Sequence, residues 1–220
     1  MSHIYIKHFI YGEELWLLPQ KCIFLPSKKM LLLADLHFGK VGHFRKEGLA
    51  LPPTVHLADL GTLKKTILAL GAEKVLVLGD MFHSRANYEW GILSLWLEEM
   101  KDISFELIVG NHDVHSMDSL PQKLKAHGLP YYIIGRLVLS HEPLSIDEIP
   151  QGCYNLCGHI HPSVKLRGAG RQHLQLPCFY FGKEMGIMPA FGKFTGFVGV
   201  SAKPGDAIFA IVEGKVLQVC

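Results

Sequence analysis

The chain has 220 residues, of which 49% are hydrophobic and 19% charged, and its formal net charge of +2 permits contact with nucleic acid or an acidic small molecule without demanding either. This length fits a single domain over residues 1–220, with a core large enough to need no disulfide or structural metal, and no apolar run is long enough to cross a bilayer. With no basic segment leading an unbroken apolar one at the N-terminus, and with Cys22, Cys153, Cys157, Cys178 and Cys220 odd in number and lacking Cys-x-x-Cys, the expectation is a cytoplasmic protein with free thiols, no signal peptide and no membrane insertion.

Residues 4–25 hold short apolar or alternating pieces around Gly12 and Pro19, read as an initial hairpin or strands covering a sheet edge. A compact strand follows at 30–34, and then a stretch over 35–53 without clean periodicity, expected to be a loop with a short helical part. The stripe Leu57, Leu60, Leu63, Ile67 and Leu70 predicts a helix over 54–70, with Asp59, Lys64 and Lys65 toward water and Gly71 as its stop. A strand at 74–78, a helix over 87–101 carrying Trp90, Leu93, Leu97 and Met100 on one side, and a strand at 104–109 complete a β-α-β-α-β run. A shorter helix is expected over 119–127. Beyond Gly128 strands dominate, at 131–134, 136–140, 154–157, 164–166 and 174–180, with a final hairpin of 207–212 and 216–219 turning near Gly214. The second half therefore reads as a mainly antiparallel sheet packed on the first, with helices outside: an α/β sandwich.

Five of the apolar runs end on residues able to bind metal. Leu31–Leu33 leads to Asp35 and His37, Val75–Leu78 to Gly79-Asp80, Leu107–Val109 to Gly110-Asn111-His112-Asp113, Leu137–Leu139 to His141, and Tyr154–Cys157 to Gly158-His159-Ile160-His161. In an extended segment Asp35 and His37 would share a side, because side-chain direction repeats every two residues. Asp80 can offer one oxygen to each of two cations, Asn111 adds a neutral oxygen, and the imidazoles add nitrogens. This mixed set suits Mn²⁺, Fe²⁺ or Zn²⁺ better than Ca²⁺. Gly79, Gly110 and Gly158 would allow tight exits from the strands and close backbone approach. Each fragment alone is weak, since Gly-Asp is common and Asn and Asp favour turns. Their recurrence at five strand ends points to a two-metal hydrolytic centre.

The set Asp35-Leu36-His37, Gly79-Asp80, Gly110-Asn111-His112-Asp113, His141 and Gly158-His159-Ile160-His161 resembles the calcineurin-like metallophosphoesterase superfamily over most of the chain. The resemblance implies the four-layer metallophosphoesterase sandwich, two central mixed β-sheets flanked by helices. It implies one divalent ion held by Asp35, His37, Asp80 and His161, and a second by Asp80, Asn111, His141 and His159. Asp80 would bridge them, while His112 would face the substrate with Asp113 orienting its ring. Two such ions outweigh the two carboxylates, leaving a positive field for a phosphoester and a route to an activated water. His112 would then assist the leaving oxygen.

Further segments resemble the bacterial ligase-associated DNA-damage-response metallophosphoesterases: Ala34-Asp35-Leu36-His37-Phe38-Gly39-Lys40, Phe44-Arg45-Lys46-Glu47-Gly48, Phe82-His83-Ser84, and Pro189-Ala190-Phe191-Gly192 before Phe194-Thr195-Gly196. That likeness implies a Mn²⁺-dependent phosphodiesterase or nuclease acting on DNA, with a DNA ligase and other repair enzymes as partners. Fe²⁺, Zn²⁺ or mixed occupancy are the alternative cofactors. Met81-Phe82-His83-Ser84 after Asp80 departs from the Asp-Arg-Gly of protein phosphatases, and His112 departs from the Arg of lipid-A-pathway pyrophosphatases. Arg45, in a basic run with Lys40, His43 and Lys46, is the main candidate for a phosphate contact, and His83 a second substrate-facing candidate. Lys165, Arg167 and Arg171 follow the last motif; Phe38, Phe44, Phe82, Phe191 and Phe194 are either base-stacking or core residues. Hydrolysis of 2′,3′-cyclic nucleotides or another small phosphoester, and a catalytically weak repair-interaction protein, are the competing functions.

Overall fold

A computed structural model describes residues 5–40, 55–83, 88–167, 173–193 and 195–220. Seven strands form the first sheet in sequence order: β1 (Ile6–Ile10), β2 (Glu13–Leu18), β3 (Cys22–Leu25), β4 (Met30–Leu33), β5 (Lys74–Leu78), β6 (Ser104–Ile108) and β7 (Leu124–His127). The first four pair antiparallel, whereas β4 through β7 are parallel, with α1 (Val55–Leu70) joining β4 to β5 and α2 (Tyr88–Glu99) joining β5 to β6. The nine-stranded second sheet comprises β8 (Tyr131–Ile134), β9 (Leu137–Ser140), β10 (Tyr154–Cys157), β11 (Pro162–Arg167), β12 (His173–Phe181), β13 (Met185–Ile187), β14 (Val198–Gly199), β15 (Ala207–Val212) and β16 (Lys215–Gln218). Its order is β14-β11-β12-β13-β10-β9-β8, with β15 and β16 continuing from β12.

The molecule is thus an α/β sandwich of two central mixed sheets flanked by helices, matching the four-layer arrangement expected. Strand alternation builds it. Leu31, Leu33, Val75, Val77, Phe105 and Leu107 face the helices, where Leu60, Leu63, Ile67, Trp90, Leu93 and Leu97 cover them. Met30, Leu32, Leu76, Leu78 and Ile108 face the other way, onto Leu137, Leu139, Tyr154, Leu156, Phe179 and Phe209 of the second sheet. Strands buried on both faces read as near-continuous apolar runs, which makes β4 and β5 legible, whereas β6 carries buried Glu106 in its middle.

Three expectations change. Residues 124–127 are not helical: Leu124–His127 adds as a parallel strand to β6, and His127 Nε2 lies 2.7 Å from Glu106 Oε2. Pairing the open edge of β6 outweighs local helix propensity. On α1, Leu57 is exposed while Asp59 is buried and ion-paired at 3.6 Å with Lys193, because the segment after β13 folds across that face. The second sheet is mainly antiparallel as expected, but β9, β10 and β13 run parallel through it. Those parallel strands include both that carry ligand candidates.

All five cysteines are free thiols, Cys22, Cys157 and Cys178 being buried. No helix among the described residues is long and apolar enough to cross a membrane.

Leu78 is fully buried between the sheets, one residue before Gly79-Asp80. Replacing it by alanine leaves a cavity there and is expected to cost about 2–5 kcal/mol of unfolding free energy in urea titrations, with the far-ultraviolet dichroism of the native state unchanged.

Candidate metal centre

Parallel neighbours bring their C-terminal ends to one edge, and both sheets do so at the same place. β4, β5 and β6 deliver Asp35, His37, Asp80 and Asn111 from one sheet, while β9 and β10 deliver His141, His159 and His161 from the other. Three groups result among the described residues, in each of which the ligand atoms lie within 4.8 Å of one another. Asp35, His37 and His161 form the first cluster and Asp80, His141 and His159 the second, while His37 also meets His83 and His112 on the substrate-facing side.

The chain reaches these positions through a conformation that the sequence reading did not anticipate. Asp35, His37, Asp80, His159 and His161 have φ of 55°, 47°, 49°, 65° and 52°, in the left-handed region. Asp35 and His37 therefore converge through consecutive sharp bends, not through strand alternation. Each such non-glycine residue costs about 1–2 kcal/mol in isolation. Cross-strand hydrogen bonds hold the bends: Asp35 N donates to Gly79 O (3.1 Å), His37 N to Asp80 O (2.9 Å) and Phe38 N to Met81 O (2.8 Å). On the opposite side Phe191 N donates to Ala34 O (2.8 Å) and Gly192 N to Asp35 O (3.2 Å). The Pro189-Ala190-Phe191-Gly192 segment thus fastens the first ligand loop, a role its sequence did not disclose.

The carboxylates tie the loops together. Asp35 Oδ2 accepts the His159 N–H at 3.0 Å, across the two sheets, and Asp80 Oδ1 accepts the His112 N–H at 2.9 Å. Asp80 Oδ1 also lies 3.4 Å from His141 Nε2, while its Oδ2 lies 3.9 Å from His37 Nε2. The two oxygens of Asp80 consequently address the two clusters. Asp35 Oδ1 is 3.3 Å from His161 Nε2. Buried Asp35 Oδ1, His161 Nε2 and both ring nitrogens of His37 have no hydrogen-bond partner among the described residues. Buried polar atoms normally find partners, so this convergence of lone-pair donors fits a divalent cation.

Second partners fix the ring tautomers. His161 Nδ1 lies 3.2 Å from Gly196 O and His141 Nδ1 3.0 Å from Leu78 O. A carbonyl only accepts, so each Nδ1 carries the proton and each Nε2 presents its lone pair. His159 Nδ1 lies 3.1 Å from His141 Nε2 and donates to it. Burial, reinforced by neighbouring Lys40, His161, His112 and His83, pushes the His37 imidazole down to about 2 and keeps it neutral.

Four glycines at the site are required by space. A Cβ at Gly79, which has φ 73°, would run into the His141 ring, one at Gly110 would meet the backbone N and Oδ1 of Asp80, one at Gly158 would meet Ala34 Cβ and Asp35 Oδ2, and one at Gly192 would meet Leu36 O.

His112 is half-exposed above Asp80, its Nε2 4.0 Å from Asp80 Oδ2. His83 stands beside it, with ring centroids 5.2 Å apart and the rings stacked, and 5.7 Å from the His37 ring. Asp113 behaves differently from expectation. Its carboxylate accepts from Phe82 N and Gly110 N, both at 2.9 Å, and so braces the loops after β5 and β6 instead of the His112 ring. Burial pushes its pKa up to about 6, with nearby Asp80 adding to the effect and those backbone donors opposing it. Phe38, Phe82 and Phe191 are core residues. Arg45, with His43, Phe44 and Lys46, lies outside the described residues, as do Arg171 and Phe194. Glu142 escaped notice in the sequence; its Oε1 accepts from Asn111 Nδ2 at 2.7 Å. A groove of about 540 Å³ starts at Ile160, between two candidate ligand histidines, and its walls carry Lys183, Glu184, Lys203 and Asp206.

Residues 28–184 match the family described as calcineurin-like phosphoesterase. Among solved structures, the chain is similar to the Pseudomonas putida nuclease MPE, with 29% identity and a TM-score of 0.82 over 98% of this chain and 100% of that one. It is also similar to Yfce, a phosphoesterase from E. coli, at 16% identity and a TM-score of 0.45 over 86% of this chain and 97% of that one. No curated protein sequence gives a significant match.

Because Gly110 lacks a positive φ, Gly110→Ala tests the close approach to Asp80 separately from backbone strain. Calorimetric titration with Mn²⁺ should give affinity weakened by about 10–100-fold. Gly91→Ala, where a Cβ meets nothing within 4 Å, should bind as wild type.

Proposed function

We propose that this chain, which belongs to the calcineurin-like phosphoesterase family, is a two-metal phosphodiesterase that cuts nucleic-acid backbones, with DNA as its polymer and Mn²⁺ as its working cation. The observation that carries the proposal is the position of Asp80, whose two carboxylate oxygens address two separate ligand clusters. Similarity to the P. putida nuclease along nearly the whole chain supports the choice of a polynucleotide substrate. The groove that starts at Ile160 supports it only as room for a substrate extending beyond the scissile phosphate, since its Lys183 and Lys203 are balanced by Glu184 and Asp206. A place beside a DNA ligase in repair rests on the subfamily-like segments alone.

In this account Asp35, His37, Asp80 and His161 hold one cation, and Asp80, Asn111, His141 and His159 the other. Bound there, divalent cations supply Lewis acidity toward phosphoryl oxygens and lower the pKa of water. The protein's own residues do the rest. The left-handed bends and their backbone hydrogen bonds preorganise the ligands, so little reorganisation accompanies reaction. Asp113 sets the height of the loop that bears His112 by bracing Gly110. The His112 imidazole, open to solvent above Asp80, delivers a proton to the departing oxygen, and His83 beside it lines the substrate's approach.

Metal-free protein titrated with Mn²⁺ should gain hydrolysis of single-stranded or duplex DNA, and Asp80→Asn should abolish it. Turnover of a 2′,3′-cyclic nucleotide with neither DNA cleavage nor DNA binding would replace the polymer assignment by a small phosphodiester.

His112→Ala should lower kcat by about 10²–10⁴-fold on an unactivated diester, and far less on a p-nitrophenyl diester whose leaving group needs no proton. Equal losses on both substrates would remove the leaving-group role.

A further inference from the structure

Asn111 poses a problem that its neighbours solve. Its side chain is exposed on the loop after β6, and a primary amide can turn to present either end. Only the carbonyl oxygen ligates a cation; the NH₂ end carries the wrong partial charge. Asn111 Nδ2 donates to Glu142 Oε1 at 2.7 Å. An ionised carboxylate only accepts, so Glu142 claims the NH₂ end and leaves Oδ1 directed elsewhere.

Glu142 is itself held from below. Its backbone carbonyl accepts from Ser140 Oγ at 2.6 Å, and that hydroxyl accepts from Asn155 Nδ2 at 2.8 Å. Asn155 is fully buried on β10; its Nδ2 also donates to Val138 O (2.8 Å), and its Oδ1 accepts from Leu144 N at 3.0 Å. One buried amide therefore fixes the chain on both sides of Glu142. The same short segment carries His141, whose ring is set against Leu78 O. Glu142 belongs to neither ligand cluster among the described residues.

We propose that Glu142, held by Asn155, is a positioning residue that orients the Asn111 amide for the cation site formed with Asp80, His141 and His159. The assignment rests on the two-cation function proposed above. It assigns the network an effect on one of the two cations only, because among the described residues no hydrogen bond joins Glu142, Ser140 or Asn155 to Asp35, His37 or His161.

Titration of metal-free protein with Mn²⁺ alone, followed by calorimetry and by the electron paramagnetic resonance of free Mn²⁺, tests it without reference to turnover. Wild type should take up two Mn²⁺ per chain. Glu142→Ala should weaken one of them by about 10–100-fold and leave the other as in wild type. Glu142→Gln should restore most of that loss, since its amide oxygen still accepts from Asn111, whereas an effect of charge alone would not be rescued. In an Asn111→Ala background, Glu142→Ala should cost nothing further. Glu142 is exposed, so its variants should keep the wild-type Tm of the metal-free protein. Wild-type binding of both ions by Glu142→Ala, no rescue by glutamine, or an undiminished cost in the Asn111→Ala background would each overturn the positioning role. Failure of wild type to bind a second Mn²⁺ would overturn the two-cation function itself.

Discussion

The structure depends on holding two buried carboxylates and a set of imidazoles within a few ångströms of one another at the seam between two sheets. Left to themselves, Asp35 and Asp80 would repel each other and lose their hydration. Each is instead given a backbone donor from a different loop, His159 N for Asp35 and His112 N for Asp80. These hydrogen bonds act in two ways. They partly neutralise the carboxylates, and they join loops from different strands, so the charge that is costly to bury also locates the loops that bear the other ligands. The first bond crosses from one sheet to the other, which makes the site a fastening between the halves of the sandwich as well as a centre for chemistry.

Such a fastening works only if the backbone is rigid enough to resist relaxing. Five ligand candidates occupy the left-handed region, each at a cost of about 1–2 kcal/mol. The layer of Leu32, Leu76, Leu78, Leu139 and Leu156 just beneath supplies the compensation, since full burial of one such side chain contributes roughly 1.5–3 kcal/mol. The apolar runs and the polar motifs that follow them are thus two parts of one device. The strands end where the chain must bend, and the bends turn side chains of opposite sheets toward each other.

This coupling explains what the sequence disclosed and what it concealed. Apolar runs buried on both faces announce parallel strands, and a ligand after each run announces a shared edge. Gly79 and Gly110 were readable because the crowding they relieve lies at the motif itself. The left-handed ligands were not, since nothing in Asp-Leu-His distinguishes a bend from an extended strand. Asp59 carries a charge that reads as solvent-facing until Lys193, far along the chain, folds over it. Residues 124–127 became a strand because β6 offered an open edge, and that edge exists only once the sheet has formed. The family resemblance implies that Asp113 orients the His112 ring, yet its oxygens accept from Phe82 N and Gly110 N. Glu142 carries no pattern at all; its meaning comes from Asn111, reached only through the fold.

The two halves of the site are also unequal. In the half made by Asp35, His37 and His161, the facing atoms lack hydrogen-bond partners among the described residues, and burial keeps the His37 imidazole neutral. Nothing within that half must be given up for ligation. In the other half His159 Nδ1 donates to His141 Nε2, so these two rings already satisfy each other. For both to ligate, His141 must release that hydrogen bond and His159 must either offer Nε2 or move its proton from Nδ1. The first half is therefore the one preorganised by burial, and the second is the adjustable one, more open to solvent and supported by the polar network through Glu142 and Asn155. A buried half whose facing atoms lack partners thus stands beside a more exposed half whose geometry is set by side-chain hydrogen bonds.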